Sequence, residues 1–395
     1  MRLFNTLTRK VDEFSADGPV GLYVCGVTPY DTTHVGHART YLLFDVLVRQ
    51  LIHLGHRVNY VQNITDVDDS IVERARALDE SYRSLGDRYT AIYMEDVAAL
   101  GILPASVYPR ATDAIPEIQE VIRRLLATGH AYRVGGDVYL SVAEVEHYGE
   151  LSRLGRDEML EIEAGQNGST VEDKRKRDPL DLLLWRAAPS GEPAWDSPWG
   201  PGRPGWHIEC STLAFKHLGK ALDIHGGGSD LIFPHHDAEI AQSEATTGQR
   251  PFARFWVHVE MARLDGRKMA KSGGNMVFVR DLLTRWTADA LRLYLLQTHY
   301  REPLDFDERR LSDAAQVVKD LSRAARAPVD HKDGETSWLR WRDEFDRFLA
   351  NDLDTPRAID SLRDLAYALE DGEVTYRGRA ELRALASRLG LSLEG

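Results

Sequence analysis

The sequence predicts an α/β protein: a doubly wound parallel sheet, an insertion between the halves of that sheet, and a helical domain at the C-terminal end. Three observations predict it. Two apolar runs, 20–25 and 57–62, flank a segment of helical periodicity, the strand, helix, strand order of a parallel βαβ unit. A polar stretch, 154–178, precedes further apolar runs at 182–185 and 221–224, the second leading into a glycine run. From Arg280 onward, helix-type patterning dominates.

In order along the chain, the run 20–25 closes on Gly26, and after His37 the residues Leu42, Phe44, Val46, Leu47 and Leu51 recur at near-helical spacing until Gly55. Strand 57–62 follows, then a helix for which Asp68 or Asp69 can serve as cap. An amphipathic helix is expected over 116–129 and a β-rich stretch over 131–142, with 165–178 the least structured part of the polar stretch. The runs 182–185 and 221–224 are expected to resume the parallel sheet, and 326–335 and Asn351-Asp352-Leu353-Asp354-Thr355-Pro356 carry loop signals. The expected division is 1–115 for the first half of the sheet domain, 116–200 for the insertion, 201–285 for the second half and 286–395 for the helical domain. No repeat of solenoid length is present.

Composition narrows the function classes. The chain has 395 residues, 49 Lys+Arg against 62 Asp+Glu, and a formal charge of −13, which argues against non-specific coating of nucleic acid and gives no reason to expect DNA as a partner. No apolar run reaches the roughly 18–20 residues of a membrane helix, and the N-terminus lacks the apolar stretch of a secretory signal, so a cytoplasmic location is expected. Two cysteines, Cys25 and Cys210, do not make a disulfide framework and draw attention instead as ligands.

Two segments carry nucleotide chemistry. In His34-Val35-Gly36-His37, set between a strand and a helix, two imidazoles three residues apart share one helical face; Gly36 permits close approach of a ligand, and the helix N-terminus favours phosphate. In Lys268-Met269-Ala270-Lys271-Ser272, followed by two glycines, two lysines can close over phosphates and neutralise charge that develops as pyrophosphate leaves. Lys174-Arg175-Lys176-Arg177 is a basic run of the kind usually found in a solvated loop, with contact to RNA the less favoured reading.

HVGH and KMAKS resemble the HIGH and KMSKS signatures of class I aminoacyl-tRNA synthetases, and YVCGVTPYD, YVQNITDVDD, GRPGWHIECS, DIHGGGSDLIFPHHDAEIAQSE and THYREPLDF resemble the cysteinyl-tRNA synthetase family, which includes the cysteine ligase of mycothiol biosynthesis. The resemblance runs from about Leu3 to Phe306 and more weakly beyond. It implies a Rossmann-like class I catalytic domain that uses ATP, with Mg2+, to activate L-cysteine. His34, His37, Lys268 and Lys271 would be catalytic, and His34, Gly36, His37, Gly226, Gly227, Gly228, Asp230 and Lys271 would contact ATP. Three glycines leave room for a flat ligand against backbone, although such a run by itself is more often a tight connection.

Cys25, Cys210, His235 and Glu239 offer two thiolates, an imidazole and a carboxylate, a donor set suited to one zinc ion, with His235 and Glu239 one helical turn apart. They match the family's zinc positions. A thiol substrate can ligate zinc where a hydroxyl does so poorly, so selection needs no editing. The resemblance adds Thr65 and Trp206 to Cys25, Cys210 and His235 as cysteine contacts. The acceptor is expected to be tRNA(Cys); the alternative is the amine of glucosaminyl-inositol, favoured by Thr28-Pro29-Tyr30 and 351–356, and a more remote one is a non-catalytic zinc-binding paralogue. Glu239 and THYREPLDF favour the synthetase. No separate anticodon-binding domain is expected within 286–395, and Ala270 stands where the signature usually has serine.

Overall fold

A computed structural model describes residues 1–189, 191–269, 274–326, 338–372 and 376–394. Its central sheet has the strand order Ala253–Val259, Leu222–Gly228, Val20–Val27, Val58–Ile64, and every neighbouring pair is parallel. The first strand of this sheet in sequence, Val20–Val27, is interior; Val58–Ile64 is added on one side, and Leu222–Gly228 then Ala253–Val259 on the other. The two inner strands, Val20–Val27 and Leu222–Gly228, therefore form the topological switch point at whose carboxyl ends a crevice opens. Val20–Val27 is mostly apolar because helices cover both faces of the sheet.

The helix Val35–His53 crosses from the first strand to Val58–Ile64 and buries Leu42, Phe44, Val46, Leu47 and Leu51. The following helix, Asp69–Ala77, is capped by Asp68, whose carboxylate accepts from Ile71 N at 2.8 Å. Close approach also explains Gly26, where a Cβ would lie 1.7 Å from the Asn63 carbonyl oxygen of the neighbouring strand.

The run 182–185 departs from the expectation. It belongs to Leu182–Ala187, a strand of a separate antiparallel sheet with Ala131–Val134, Asp137–Leu140 and Gly202–Pro204. The connection 188–201 contains Pro189, Pro193, Pro198 and Pro201; so many prolines cannot supply a crossover helix, and the chain turns back on itself instead. The polar stretch also holds a helix, Arg156–Ala164, before the irregular 165–178. The basic run is used internally: Arg175 pairs with Asp137 and Asp173, Lys176 is buried and donates to Thr170 and the Pro179 carbonyl, and Arg177 lies over the Tyr132 ring at 4.1 Å.

After the central sheet, Ala262–Leu264 pairs antiparallel with Arg267–Lys268 and parallel with Leu304–Asp305. Helices Ala288–Leu296, Glu308–Arg326, Leu339–Leu349, Thr355–Glu370 and Tyr376–Arg388 follow. They are locked to the catalytic half by Arg292, which is fully buried, pairs with Asp45 of helix Val35–His53 and donates to the carbonyls of Leu100 and Leu389. At the N-terminal end Arg2–Asn5 and Lys10–Glu13 form an antiparallel hairpin, which Asn351 and Asp352 seat: Asn351 bridges to Arg2, Asp352 accepts from Phe4 N at 2.7 Å and from Tyr300 Oη at 2.5 Å, and Asp354 caps the next helix. Of the loop expected over 326–335, residues 327–335 lie outside the described residues. Among the described residues, no helix is long and apolar enough to cross a membrane.

Candidate active site and metal centre

A cleft of about 910 Å³ opens at the switch point, and Cys25, His34, Gly36, His37, Trp206, Gly228, Asp230 and Lys268 all line it. Segments far apart in sequence thus meet where the topology predicts a ligand.

His34 caps the helix Val35–His53, its Nδ1 accepting from Gly36 N at 3.0 Å and His37 N at 3.3 Å. An Nδ1 that accepts leaves the proton of the neutral ring on Nε2. Val35 N is also occupied, by the Val277 carbonyl at 2.9 Å. This corrects one expectation: the first three amides of the helix are consumed inside the protein, so phosphate would meet the imidazoles and the helix dipole rather than free N–H groups. The rings of His34 and His37 stack with centroids 3.7 Å apart.

Lys268 reaches across the cleft to Asp230, Nζ to Oδ2 at 3.2 Å, through an exposed ion pair. Ala270 and Lys271 lie outside the described residues. In the glycine run only Gly228 lines the cleft. Gly226 is enforced by packing, since a Cβ there would lie 2.1 Å from the Phe44 ring, and at Gly227 it would meet Leu231 at 2.8 Å. Thr65 is buried; its hydroxyl accepts from Asn63 Nδ2 at 3.1 Å, and it does not line the cleft.

Below the cleft, Cys25, Cys210, His235 and Glu239 present donor atoms that all lie within 4.8 Å of one another, and all four residues are buried. Cys25 ends the apolar run of the first strand, Cys210 lies on helix Trp206–Leu218, and Glu239 lies in the first turn of Asp237–Thr247. Glu239 Oε2 is 3.8 Å from Cys25 Sγ and 3.7 Å from His235 Nε2. Trp206 covers His235, ring centroids 4.2 Å apart.

Four further histidines surround this group. His225 Nε2 lies 3.2 Å from Glu239 Oε1, and His236 Nδ1 meets His258 Nε2 at 2.7 Å. His207 Nδ1 meets His235 Nδ1 at 2.8 Å. His225 and His236 with Cys25 and Glu239 form a second compatible donor set. The sequence assigns none of these four a role, since a single histidine in a strand or helix carries no spacing signal.

Burial sets the electrostatics. It pushes the Cys25 thiol and the Glu239 carboxyl well above their usual ranges, and lowers His225 and His258 to about 3 and His207 to about 4. The histidines are therefore neutral donors at neutral pH. No lysine or arginine among the described residues pairs with Glu239, and an acidic group buried with thiols and neutral imidazoles is a donor set matched to a soft divalent cation. The residues present fit a metal ion.

The family model described as "tRNA synthetases class I (C) catalytic domain" matches residues 12–316. The chain belongs to the cysteinyl-tRNA synthetase family. It is 44% identical over 401 residues to a cysteine–tRNA ligase of Aquifex aeolicus (strain VF5), covering 95% of this chain and 80% of that protein. It is 42% identical over 402 residues to one from Dehalococcoides mccartyi (strain ATCC BAA-2266 / KCTC 15142 / 195), covering 100% of this chain and 86% of the relative. The fold is shared with Mycobacterium tuberculosis methionyl-tRNA synthetase in complex with methionyl-adenylate, at a TM-score of 0.66 and 16% identity over 95% of this chain and 90% of that one.

Proposed function

We propose that this family member is a cysteine–tRNA ligase: it activates L-cysteine with ATP, bound as its magnesium complex, and transfers the cysteinyl group to tRNA(Cys) in the cytoplasm. The observation that carries the reading is the juxtaposition of the buried Cys25, Cys210, His235 and Glu239 cluster with a rim that holds His34, His37 and Lys268.

In the first step a carboxylate oxygen of cysteine attacks the α-phosphorus of ATP. The new bond forms as the bond from that phosphorus to the bridging oxygen breaks, and pyrophosphate carries away the electron pair. His34 and His37 donate to phosphate oxygens from one side while Lys268, joined in our reading by Lys271, offsets their charge from the other. In the second step a ribose hydroxyl at the 3′ end of the tRNA attacks the acyl carbon; the bond from that carbon to the phosphate oxygen breaks, AMP leaves with the electron pair, and the hydroxyl proton passes to an oxygen of the leaving phosphate.

Cys25, Cys210, His235 and Glu239 would hold zinc, and the chemistry zinc supplies when bound is soft-ligand selection, since thiolate sulfur binds it well, a hydroxyl poorly and a methyl group not at all. Trp206, which covers His235, would enclose the cysteine side chain, with Thr65 assigned to the same pocket by family resemblance alone. His225, His236 and Glu239 hold one another in orientation, as partners of metal ligands commonly do. Gly228 and Asp230 would face the adenosine end of ATP, with Gly226 and Gly227 shaping the strand beneath.

The test supplies purified protein, ATP and radiolabelled cysteine with either tRNA(Cys) or glucosaminyl-inositol. Labelled tRNA is the expected result. Labelled glucosaminyl-inositol with bare tRNA would transfer the adenylate chemistry to the thiol-cofactor reaction, and metal-loaded protein without cysteine-dependent exchange of pyrophosphate into ATP would make this a non-catalytic relative.

A further inference from the structure

Lys268 and the histidines His34 and His37 belong to segments more than two hundred residues apart, yet the proposed reaction needs them held on opposite sides of one triphosphate. The structure contains a device that ties them. Arg39 stands two residues after His37 on the same helix and is only 3% exposed. Its Nη1 donates to the Glu260 carbonyl at 3.1 Å, and its Nη2 donates to the carbonyls of His299, at 2.9 Å, and Glu302.

These acceptors sit at the root of the ribbon that carries Lys268. Glu260 immediately follows the last strand of the central sheet and precedes Ala262–Leu264, the strand paired with Arg267–Lys268. His299 and Glu302 lie in the bend before Leu304–Asp305, which pairs with Ala262–Leu264 on its other side. Glu260 N donates to the Tyr300 carbonyl at 2.8 Å and Leu304 N to the Met261 carbonyl at 3.2 Å, so the bend and the ribbon root are already one unit before Arg39 binds both. Beyond the lysine loop, Val35 N donates to the Val277 carbonyl and Val279 N to the Thr33 carbonyl, each at 2.9 Å. The segment from Glu260 to Val279 is thus anchored at one end by Arg39 and at the other by the backbone that flanks His34.

We propose that Arg39 is a positioning residue for the adenylate-forming step: its guanidinium clamps the root of the Lys268 ribbon to the helix that carries His37, and so sets the spacing between the two phosphate-contacting groups. Arginine suits this because its planar fork presents donors in fixed directions to several carbonyls at once; a lysine ammonium is a single point on a flexible stem and cannot hold all three. Arg39 is buried and does not line the cleft, so it touches neither ATP nor cysteine in this reading. The inference rests on the proposed role of Lys268.

The test is a double-mutant cycle on the full chain, read by cysteine-dependent exchange of pyrophosphate into ATP. Arg39→Lys is expected to lower kcat by about 10- to 100-fold, the scale on which small misplacements of catalytic groups act, while metal content and the KM for cysteine stay within about twofold. In a Lys268→Ala background the same substitution is expected to cost less than about threefold, because the group it positions is gone. A purely structural arginine gives effects that multiply, and multiplying effects, or an unchanged Arg39→Lys rate, overturn the clamp. Should Arg39→Lys unfold, Pro303→Gly supplies the second variant: Pro303 is exposed beside Glu302, and loosening that bend is expected to give a smaller kcat loss that also vanishes in the Lys268→Ala background. Pro303→Gly with an unaltered kcat, or with a loss that persists in that background, refutes the proposal. An unchanged rate for Lys268→Ala alone would instead remove the ATP-site reading, and the clamp with it.

Discussion

Cys210→Ser is the perturbation that bears most directly on the metal centre. Cys210 is 1% exposed and contributes one of four donors that lie within 4.8 Å of one another. Zinc sites of this kind bind with apparent free energies of roughly 10–16 kcal/mol in small folded units. Shared over four ligands, that is about 3–4 kcal/mol for each, so exchanging one thiolate for a hydroxyl is expected to weaken metal binding by about 10²–10³-fold. The change is small in volume, and Cys210 packs among Tyr23, Ile208, Leu213 and Phe233 in the same apolar cluster; the fold is expected to persist. Metal content, measured by mass spectrometry of the dialysed protein, should fall from one ion per chain to a small fraction. Exchange of pyrophosphate supported by cysteine should fall with it, and the preference for cysteine over serine should shrink. A variant that keeps its full metal content and its discrimination against serine would refute the assignment of Cys210 as a ligand.

Further outcomes follow from the same geometry. Lys268→Ala should slow exchange by at least about tenfold with metal content and thermal stability unchanged, because Lys268 is more than half exposed and its ion pair with Asp230 is screened by solvent; calorimetry and exchange kinetics check both halves. Arg292→Met leaves the Leu100 and Leu389 carbonyls without their donor and takes away the buried partner of Asp45, so unfolding in urea should show a loss of about 3–5 kcal/mol, and a loss below about 1 kcal/mol would contradict the account of that ion pair. Asp68, desolvated at its cap position, has its carboxyl pushed up to about 7. The native state therefore holds this proton more tightly than the unfolded chain, and stability is lost as pH rises through that range. Asp68→Asn keeps an acceptor for Ile71 N and removes the titration, so its stability relative to the parent should rise between pH 4 and pH 8 by roughly 4 kcal/mol, read as a rise in relative melting temperature; a difference that stays flat with pH would refute the desolvation argument.

The parts of the site that were legible in the sequence are those whose chemistry is unusual for their surroundings. Two cysteines in a long chain, a histidine and glutamate one helical turn apart, and paired histidines and lysines flanked by glycine stand out because ordinary packing does not call for them. Long apolar runs were legible as elements for the opposite reason: burial on both sides of a sheet leaves few residue types possible. Which sheet a short run joins was not legible. The residues Leu182 to Trp185 suit a parallel or an antiparallel neighbour equally well, and only the proline-rich return to Gly202–Pro204 decides between them. The basic run was similarly open until Asp137, Asp173 and Tyr132 were seen to occupy Arg175 and Arg177.

By itself, then, the sequence determined the class of fold, the donor types at the candidate metal centre and the nucleotide signatures, because each is written in local composition and spacing. Tertiary structure alone decided which groups face one another. It placed His225 and His236 against Glu239 and His207 against His235, turned the first helical amides of the HVGH segment inward to His34 and Val277, showed Gly226 to be a packing glycine against Phe44, and brought Arg39 to three carbonyls more than two hundred residues away. The physical reason is common to all of these: a hydrogen bond or a van der Waals contact depends on distances of a few ångströms between atoms, and between residues far apart in the chain those distances are fixed only when the sheet closes and the helices pack upon it.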